Sequence, residues 1–307
     1  MESLAGRVVV VTGAGRGLGR EHALFAAREG AMVVVNDNGC AADGTGADPT
    51  LAAAVAAEIT DAGGEAIANA EDVATSAGAD ALLAAALAAF GAVHGLVNNA
   101  GVLRDRMFVN MTEEDWDAVI RGQLRATFAP ASAFARHWRG RSKAGEAPAA
   151  AIVNVPSTSG LIGQVGQSNY GAAKAAIGSL TLILAQELGR YGVRVNGVVP
   201  VARTRMTAEV PGIAEIVAAP EDPDEFDVYH PGNVSPLVAW LLREECELSG
   251  EVFYAKGGEI RRFLPWHYGA QVDNGARWTV ADLDAAMAGL MVSTGGTSAA
   301  SGGASHE

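Results

Sequence analysis

Cysteine is scarce in this chain: Cys40 and Cys246 are the only two among 307 residues. That is too few for a disulfide framework and fits a reducing compartment. Basic residues are also in deficit, 22 against 35 acidic ones, for a net charge of −13. Such a balance argues against a nucleic-acid partner, and any anionic ligand must find local positive groups. No uninterrupted apolar run reaches the roughly 18 residues of a membrane span. The opening MESLAGRVVVVTG lacks a basic region followed by a cleavable apolar segment. A cytoplasmic protein without membrane association is the expectation. No internal repeat is evident, and His267 and His306 stand too isolated to suggest a metal. What is plentiful is apolar content, 49% of residues, enough to bury a large core in one α/β domain with a short extension.

The first forty residues read as a nucleotide-binding βαβ start. Val8 to Val11 is a continuous apolar run of the kind covered on both faces in a parallel sheet. TGAGRGLG follows, with glycines at Gly13, Gly17 and Gly19. This is not the G-x-G-x-x-G spacing, but glycines here still let the backbone approach a pyrophosphate resting on the N-terminus of a helix beginning near Leu18. The second strand, AMVVVND, ends at Asp37, where a carboxylate suits the adenosine ribose hydroxyls and repels a 2′-phosphate. NAD is therefore favoured over NADP.

Residues 38 to 50 read as a Gly- and Asp-rich surface insertion. A helix (51 to 62), a strand (65 to 70), a helix (76 to 90) and the strand VHGLV follow. Thr112 starts a further helix, with Asp115 three residues on as a near-match to a capping box. VRVNGVVP, ending at Pro200, and EVFYAKGG (251 to 258) supply the last strands. Alternating strands and helices predict a Rossmann-like, doubly wound parallel sheet of about seven strands flanked by helices. The predicted domain spans 1–265. A short helical C-terminal extension, 266–292, is expected to pack on it, with a helix from Val280 capped by Thr279 and Asp282, and 293–307 to be a disordered tail.

The groups able to do chemistry crowd between Asn154 and Lys174. Tyr170 and Lys174 are four residues apart on a predicted helix, so both leave one face, and a nearby ammonium would favour the tyrosine phenolate. Ser157, at a strand end, could hydrogen-bond the same substrate oxygen. Taken alone, a Tyr–Lys pair at this spacing is usually just a solvated helix face.

With Tyr170 thirteen residues after Ser157, the arrangement resembles the active site of the short-chain dehydrogenase/reductase family. The resemblance implies nicotinamide-dependent interconversion of alcohol and carbonyl, with Ser157, Tyr170 and Lys174 carrying proton transfer and no metal. T-G-x-x-x-G-x-G is the family's form of the glycine loop, Asp72-Val73 resembles its adenine-contacting turn, and Asn98-Asn99-Ala100-Gly101 is its NNAG motif. The implied cofactor set is Gly13, Arg16, Gly17, Leu18, Gly19, Asp37, Asp72, Val73, Asn99, Ala100, Gly101, Tyr170, Lys174, Pro200 and Thr204. Arg16 occupies a position that contacts the 2′-phosphate in NADP-dependent relatives, but the charge conflict at Asp37 is the more direct of the two. Three positions depart from the pattern. Gln123 stands where the family has an asparagine, and its longer side chain could hold a water or a backbone group. Pro156 replaces a small polar residue, and Val201 a glycine.

VVVNDNG, LRDRMF, EEDWD, SGLIGQVGQSNYGAAK, RTRM and GGEIRR together resemble the dehydrogenase unit of peroxisomal multifunctional enzyme type 2 and its bacterial single-domain relatives. That implies a small-molecule substrate, an acyl-CoA: a 3-hydroxyacyl-CoA/3-oxoacyl-CoA pair. Alternatives are a steroid or other secondary alcohol, a 3-oxoacyl carrier-protein substrate, or an idle NAD-binding scaffold. Arg104, Arg106, Arg203 and Arg205 could form a cationic rim for the CoA phosphates, or merely pair with acids such as Asp105 and Glu209. A homodimer or homotetramer is expected, with helices at 113 to 139 and 168 to 190 meeting their copies over Ala172, Ala173, Ala175 and Ala176.

Overall fold

The computed structural model describes residues 3–204, 214–222, 224–264 and 266–292. Eight strands form one sheet in the order β3-β2-β1-β4-β5-β6-β7-β8. They are β1 (Val8–Thr12), β2 (Met32–Asn36), β3 (Glu65–Asn69), β4 (Gly95–Asn98), β5 (Ala150–Asn154), β6 (Val193–Pro200), β7 (Val252–Lys256) and β8 (Glu259–Phe263). The first seven pair in parallel, and β8 adds an antiparallel edge strand to the seven read from the sequence, with Val252 opposite Phe263. It follows β7 through Gly257, at φ +53°, and Gly258, a hairpin too tight for period reading to reveal.

The four-valine run sorts by parity. Val9 and Val11, with Val33 and Val35, enter the core on one face of the sheet, while Val10 and Val34 enter the other. On the first face they meet helices Gly17–Arg28 and Thr50–Asp61 through Ala23, Ala26, Val55 and Ile59. On the second, helices Ser76–Phe90 and Ala126–Lys143 contribute Leu82, Ala86, Phe134 and Trp138. Both faces are covered, which is why the strands carry no polar alternation. Trp138 donates its indole N–H to the Val93 carbonyl at 2.9 Å and stacks edge-on against Phe134.

Polar caps close the C-terminal ends of the strands. Asn36 donates to Asn69 at 2.8 Å between β2 and β3, and Asn98 to Asn154 at 2.9 Å between β4 and β5. Asn154 in turn donates to Thr181 at 3.0 Å, on the long helix Ser168–Leu188. Thr112 caps Glu113–Val119 by accepting from the Asp115 N–H at 3.1 Å. Of the four alanines expected to face a second copy, Ala173 is fully buried within the protomer and only Ala172 is exposed.

The chain divides into two compact units after Phe263. In the second, Thr279 and Asp282 form the expected reciprocal cap, with Oγ1 accepting from the Asp282 N–H at 3.3 Å and the carboxylate accepting from the Thr279 N–H at 3.2 Å. The expected tail lies outside the described residues. No helix among the described residues is long and apolar enough to cross a membrane.

One buried group makes the fold acid-sensitive. His22, enclosed in helix Gly17–Arg28 with its Nδ1 2.8 Å from the Ser235 hydroxyl, is pushed down to about 4 by burial. The unfolded chain binds a proton at this residue near pH 6.5 and the folded one does not, so stability is intact above pH 6.5 and falls as pH drops to 4. The loss approaches about 3 kcal/mol. Urea unfolding of the wild type between pH 7 and 4 should show that decline, and His22→Gln should flatten it.

Candidate active site

The strand order reverses between β1 and β4, and a crevice opens over their C-terminal ends, where open α/β sheets bind ligands. Two glycines set its floor. A Cβ on Gly13 would lie 2.7 Å from Ala100 Cα, and one on Gly19 would lie 2.1 Å from the Gly13 carbonyl oxygen, so neither position admits a side chain. Gly13 and Gly17 adopt φ +64° and +54°, which turns the loop back over the start of the helix. Thr12 and Asn99 sew the two strand ends together. The Thr12 hydroxyl accepts from the backbone N–H groups of Asn99 and Ala100, each at 3.1 Å, and the Asn99 amide donates to the Thr12 and Gly13 carbonyls at 3.1 and 3.0 Å.

Eleven of the fifteen cofactor residues read from the sequence line this crevice. Gly13, Arg16, Gly17 and Leu18 come from the glycine loop, and Asp37 from the end of β2. Asp72 and Val73 form one wall, Asn99, Ala100 and Gly101 another, and Thr204 closes it beyond β6. Gly19 lies beneath the floor as a packing contact, and Pro200 ends β6 in register with Ala255. Tyr170 and Lys174 stand beyond the crevice lining, on the helix that follows β5.

Asp37 has a task the sequence did not suggest. Its carboxylate accepts from the Gly15 N–H at 2.8 Å and the Gly39 N–H at 2.7 Å, clamping the glycine loop to the segment after β2. The segment 38–50, expected as a surface insertion, does more than cover surface. Ala42 accepts from the Leu103 N–H and Asp43 from the Arg104 guanidinium, both at 2.8 Å, so the segment forms one side of the crevice. Arg16 reaches the Cys40 carbonyl at 2.9 Å, and Arg121 pairs with Asp72 across the wall.

Ser157 lies near enough to Tyr170 for its hydroxyl to favour the phenolate. Lys174 is buried at 4% exposure, with Nζ donating to the Val155 carbonyl at 2.6 Å and lying 5.4 Å from the centre of the Tyr170 ring. The expected electrostatic coupling is not what holds here. Burial pushes the phenol up to about 12, opposed by the Ser157 hydroxyl and reinforced by the Asp105 carboxylate. Burial also pulls the lysine down to about 7. Lys174 is buried and Tyr170 partly so, and withdrawal from water disfavours the charged form of each, which the helical spacing could not reveal.

Gln123 is fully buried and donates to the Val102 carbonyl at 2.7 Å, while its amide would clash at 2.6 Å with any Cβ on Gly101. It holds a backbone group, one of the two tasks read from its length, inside a π-helical turn at Ile120–Arg125. Pro156 is buried close to Gly197 of β6, where a Cβ would come within 3.3 Å of the ring. Of the expected rim, Arg203 is turned inward to Asp227 and the Val217 carbonyl, Arg104 is held by Asp43 and faces Glu114 and Asp115 at 3.7 Å, and Arg205 lies outside the described residues. Arg106 remains 61% exposed, 3.6 Å from Asp115. Asp105, Gln167 and Asn169 went unread as site residues, because their bonds join segments about sixty residues apart, and Ser159 went unread although its bonds to Ser157 and Gln167 are local.

Comparison with known proteins agrees with this geometry. The family model described as short chain dehydrogenase matches residues 7–212. The hydroxyacyl-CoA dehydrogenase ChsB1 of Mycobacterium tuberculosis is 43% identical over 92% of this chain and 88% of its own. The mouse peroxisomal multifunctional enzyme type 2 is 41% identical over 85% of this chain, which spans 33% of that larger protein. A crystal structure of a short chain dehydrogenase from Mycobacterium avium superposes with a TM-score of 0.84 at 47% identity, over 95% of this chain and 96% of that one.

The two glycines separate packing from backbone strain. Gly17→Ala meets no neighbour and bears only the left-handed φ, a cost of about 1 kcal/mol. Gly19→Ala forces the Gly13 carbonyl out of the floor, a cost of about 1–3 kcal/mol. Thermal unfolding should rank the two in that order, and NADH fluorescence titration should show binding weakened far more in Gly19→Ala.

Proposed function

The chain belongs to the short-chain dehydrogenase family and is an oxidoreductase of CH–OH groups that takes a nicotinamide dinucleotide; from that premise we propose that it interconverts 3-hydroxyacyl-CoA and 3-oxoacyl-CoA thioesters with NAD. The observation that carries the reaction is the placement of Lys174, buried with Nζ 5.4 Å from the centre of the Tyr170 ring on the same helix, with the Ser157 hydroxyl near the phenol. A glycine floor with no room for a Cβ, at the N-terminus of a helix, fits a pyrophosphate. When bound, the cofactor exchanges the hydride with the substrate carbon. The chain's own part is the proton. In the reducing direction the Tyr170 hydroxyl gives its proton to the carbonyl oxygen while Ser157 donates a hydrogen bond to the same atom. In the oxidising direction the phenolate oxygen takes the proton of the alcohol. Lys174, pulled down to about 7 by burial, would help hold the ribose.

Two observations support an acyl thioester. The relatives named above include a hydroxyacyl-CoA dehydrogenase. In addition, Phe108 and Val109 on one loop and Ile162 and Val165 on another are exposed, and the loops are joined by the Arg106 N–H to the Gly166 carbonyl at 2.9 Å. An apolar lip with a cation at its edge suits a fatty chain carrying a phosphorylated head. NAD is supported by Asp37, whose carboxylate borders the crevice and opposes a 2′-phosphate, and by Arg16, whose guanidinium is held on the Cys40 carbonyl.

Steady-state assays with acetoacetyl-CoA and NADH, and with 3-hydroxybutyryl-CoA and NAD, test this reading. Because the resting phenol is protonated, the reducing kcat should fall and the oxidising kcat should rise as pH increases. Tyr170→Phe should lower both by about 10²–10⁴-fold with NADH binding retained. Turnover of a steroid alcohol, with none of either thioester, would overturn the substrate assignment. Asp37→Ala should lower the ratio of kcat/KM for NAD over NADP at least tenfold; a wild type that already prefers NADP would refute the reading of Asp37.

A further inference from the structure

One carboxylate beside the reacting pair has no role in the proton transfer described above. Asp105 follows the NNAG turn of β4, and its side chain is half-buried against the start of the Ser168–Leu188 helix. Its Oδ2 accepts from the Gln167 amide at 2.8 Å, while Oδ1 is enclosed with no hydrogen-bond partner among the described residues. Burial raises this carboxyl above its ordinary value, with the Gln167 bond opposing. The neighbouring cations are engaged elsewhere. The Arg104 guanidinium is on the Asp43 carbonyl, that of Arg106 faces Asp115 and the main-chain carbonyl of Asp105, and Lys174 is on the Val155 carbonyl.

The Asp105–Gln167 bond is the first link of a run of hydrogen bonds that ends at Ser157. An ionised carboxylate only accepts, so the NH₂ end of the Gln167 amide faces Asp105 and its oxygen faces the other way. That oxygen accepts from the Ser159 hydroxyl at 2.7 Å, and the Ser159 backbone N–H donates to Ser157 Oγ at 3.2 Å. With its oxygen already accepting, Ser157 has its proton left to give. The coupling is positional: Ser159 donates from its hydroxyl to Gln167 and from its backbone N–H to Ser157, so holding Ser159 in place holds the Ser157 oxygen in place.

We infer that Asp105 is a positioning residue for the reaction: acting through Gln167 and Ser159, it orients the Ser157 hydroxyl as a donor toward the reacting oxygen. The inference rests on the reading of Ser157 and Tyr170 as the reacting pair. It carries an electrostatic corollary, since the same carboxylate adds to burial in opposing ionisation of Tyr170. Asparagine at this position would keep an acceptor for Gln167 and remove the charge, whereas alanine would remove both.

The test is the reduction of acetoacetyl-CoA by NADH from pH 6 to 10, with NADH binding and thermal unfolding measured alongside. Asp105→Ala should lower kcat at least tenfold, leave NADH affinity within twofold, and change KM less than kcat. Gln167→Leu should reproduce it, and the double variant should be no slower than either single one, as links of one chain require. Asp105→Asn should recover most of the rate at neutral pH and move the alkaline fall of kcat to lower pH by half a unit or more. Full activity in Asp105→Ala and Gln167→Leu, or a pH profile unmoved in Asp105→Asn, overturns the inference. Should Asp105→Ala fail to fold, Gln167→Leu and the Asp105→Asn profile decide alone. Wild-type-like turnover in Tyr170→Phe would instead sink the reading of the reacting pair, an outcome separate from any result at Asp105.

Discussion

The backbone contact between β1 and β4 at the point where the strand order reverses is the constraint the rest of the site depends on. Gly13 meets Ala100 and Gly19 meets Gly13 with less space than a methyl group needs. Such an approach holds only if the polar groups it buries are satisfied, and Thr12 and Asn99 satisfy four of them at 3.0–3.1 Å. Each end of the contact then serves a different part of the site. The β1 side turns into the glycine floor and helix N-terminus. The β4 side continues through Val102, held by Gln123, to the Asp105 that faces Tyr170.

From that junction the crevice acquires its walls by clamps between distant segments. Asp37 joins the glycine loop to the segment after β2, the Ala42 and Asp43 carbonyls join that segment to 103–104, and Arg121 joins the π-helical turn to Asp72. A chain with net charge −13 thus directs several arginines inward, onto carbonyls and carboxylates, instead of leaving them as a free cationic rim. Exposed ion pairs contribute little to stability. Their consequence here is geometric, because each fixes a loop that lines the site.

Burial, more than charge pairing, sets the protonation of the proposed reacting groups. Tyr170 is held toward its protonated form and Lys174 toward its neutral form by the same removal from water, with Asp105 adding to the effect on the phenol. The groups most able to change that balance, Ser157 and Asp105, are linked through Ser159 and Gln167.

Sequence alone determined whatever is local in the chain. The four-valine run, the glycine spacing, the NNAG motif, and the intervals from Ser157 to Tyr170 and Tyr170 to Lys174 specify strand, loop and helix face by rules of period and backbone freedom that act within a turn or two. That was enough for the α/β class, the order of elements, eleven of the residues that line the crevice and the helix caps at Thr112 and Thr279. It was not enough for the crevice wall built by 38–50, the inward turn of Arg203, the double duty of Asp37 or the chain from Asp105 to Ser157. Nor did it give the direction in which the Tyr170 phenol is driven, because four-residue spacing places a cation near a ring but says nothing of how dry the place is. Those features arise from contacts between segments far apart in the chain and from the exclusion of water once the segments meet, and both exist only in the folded protein.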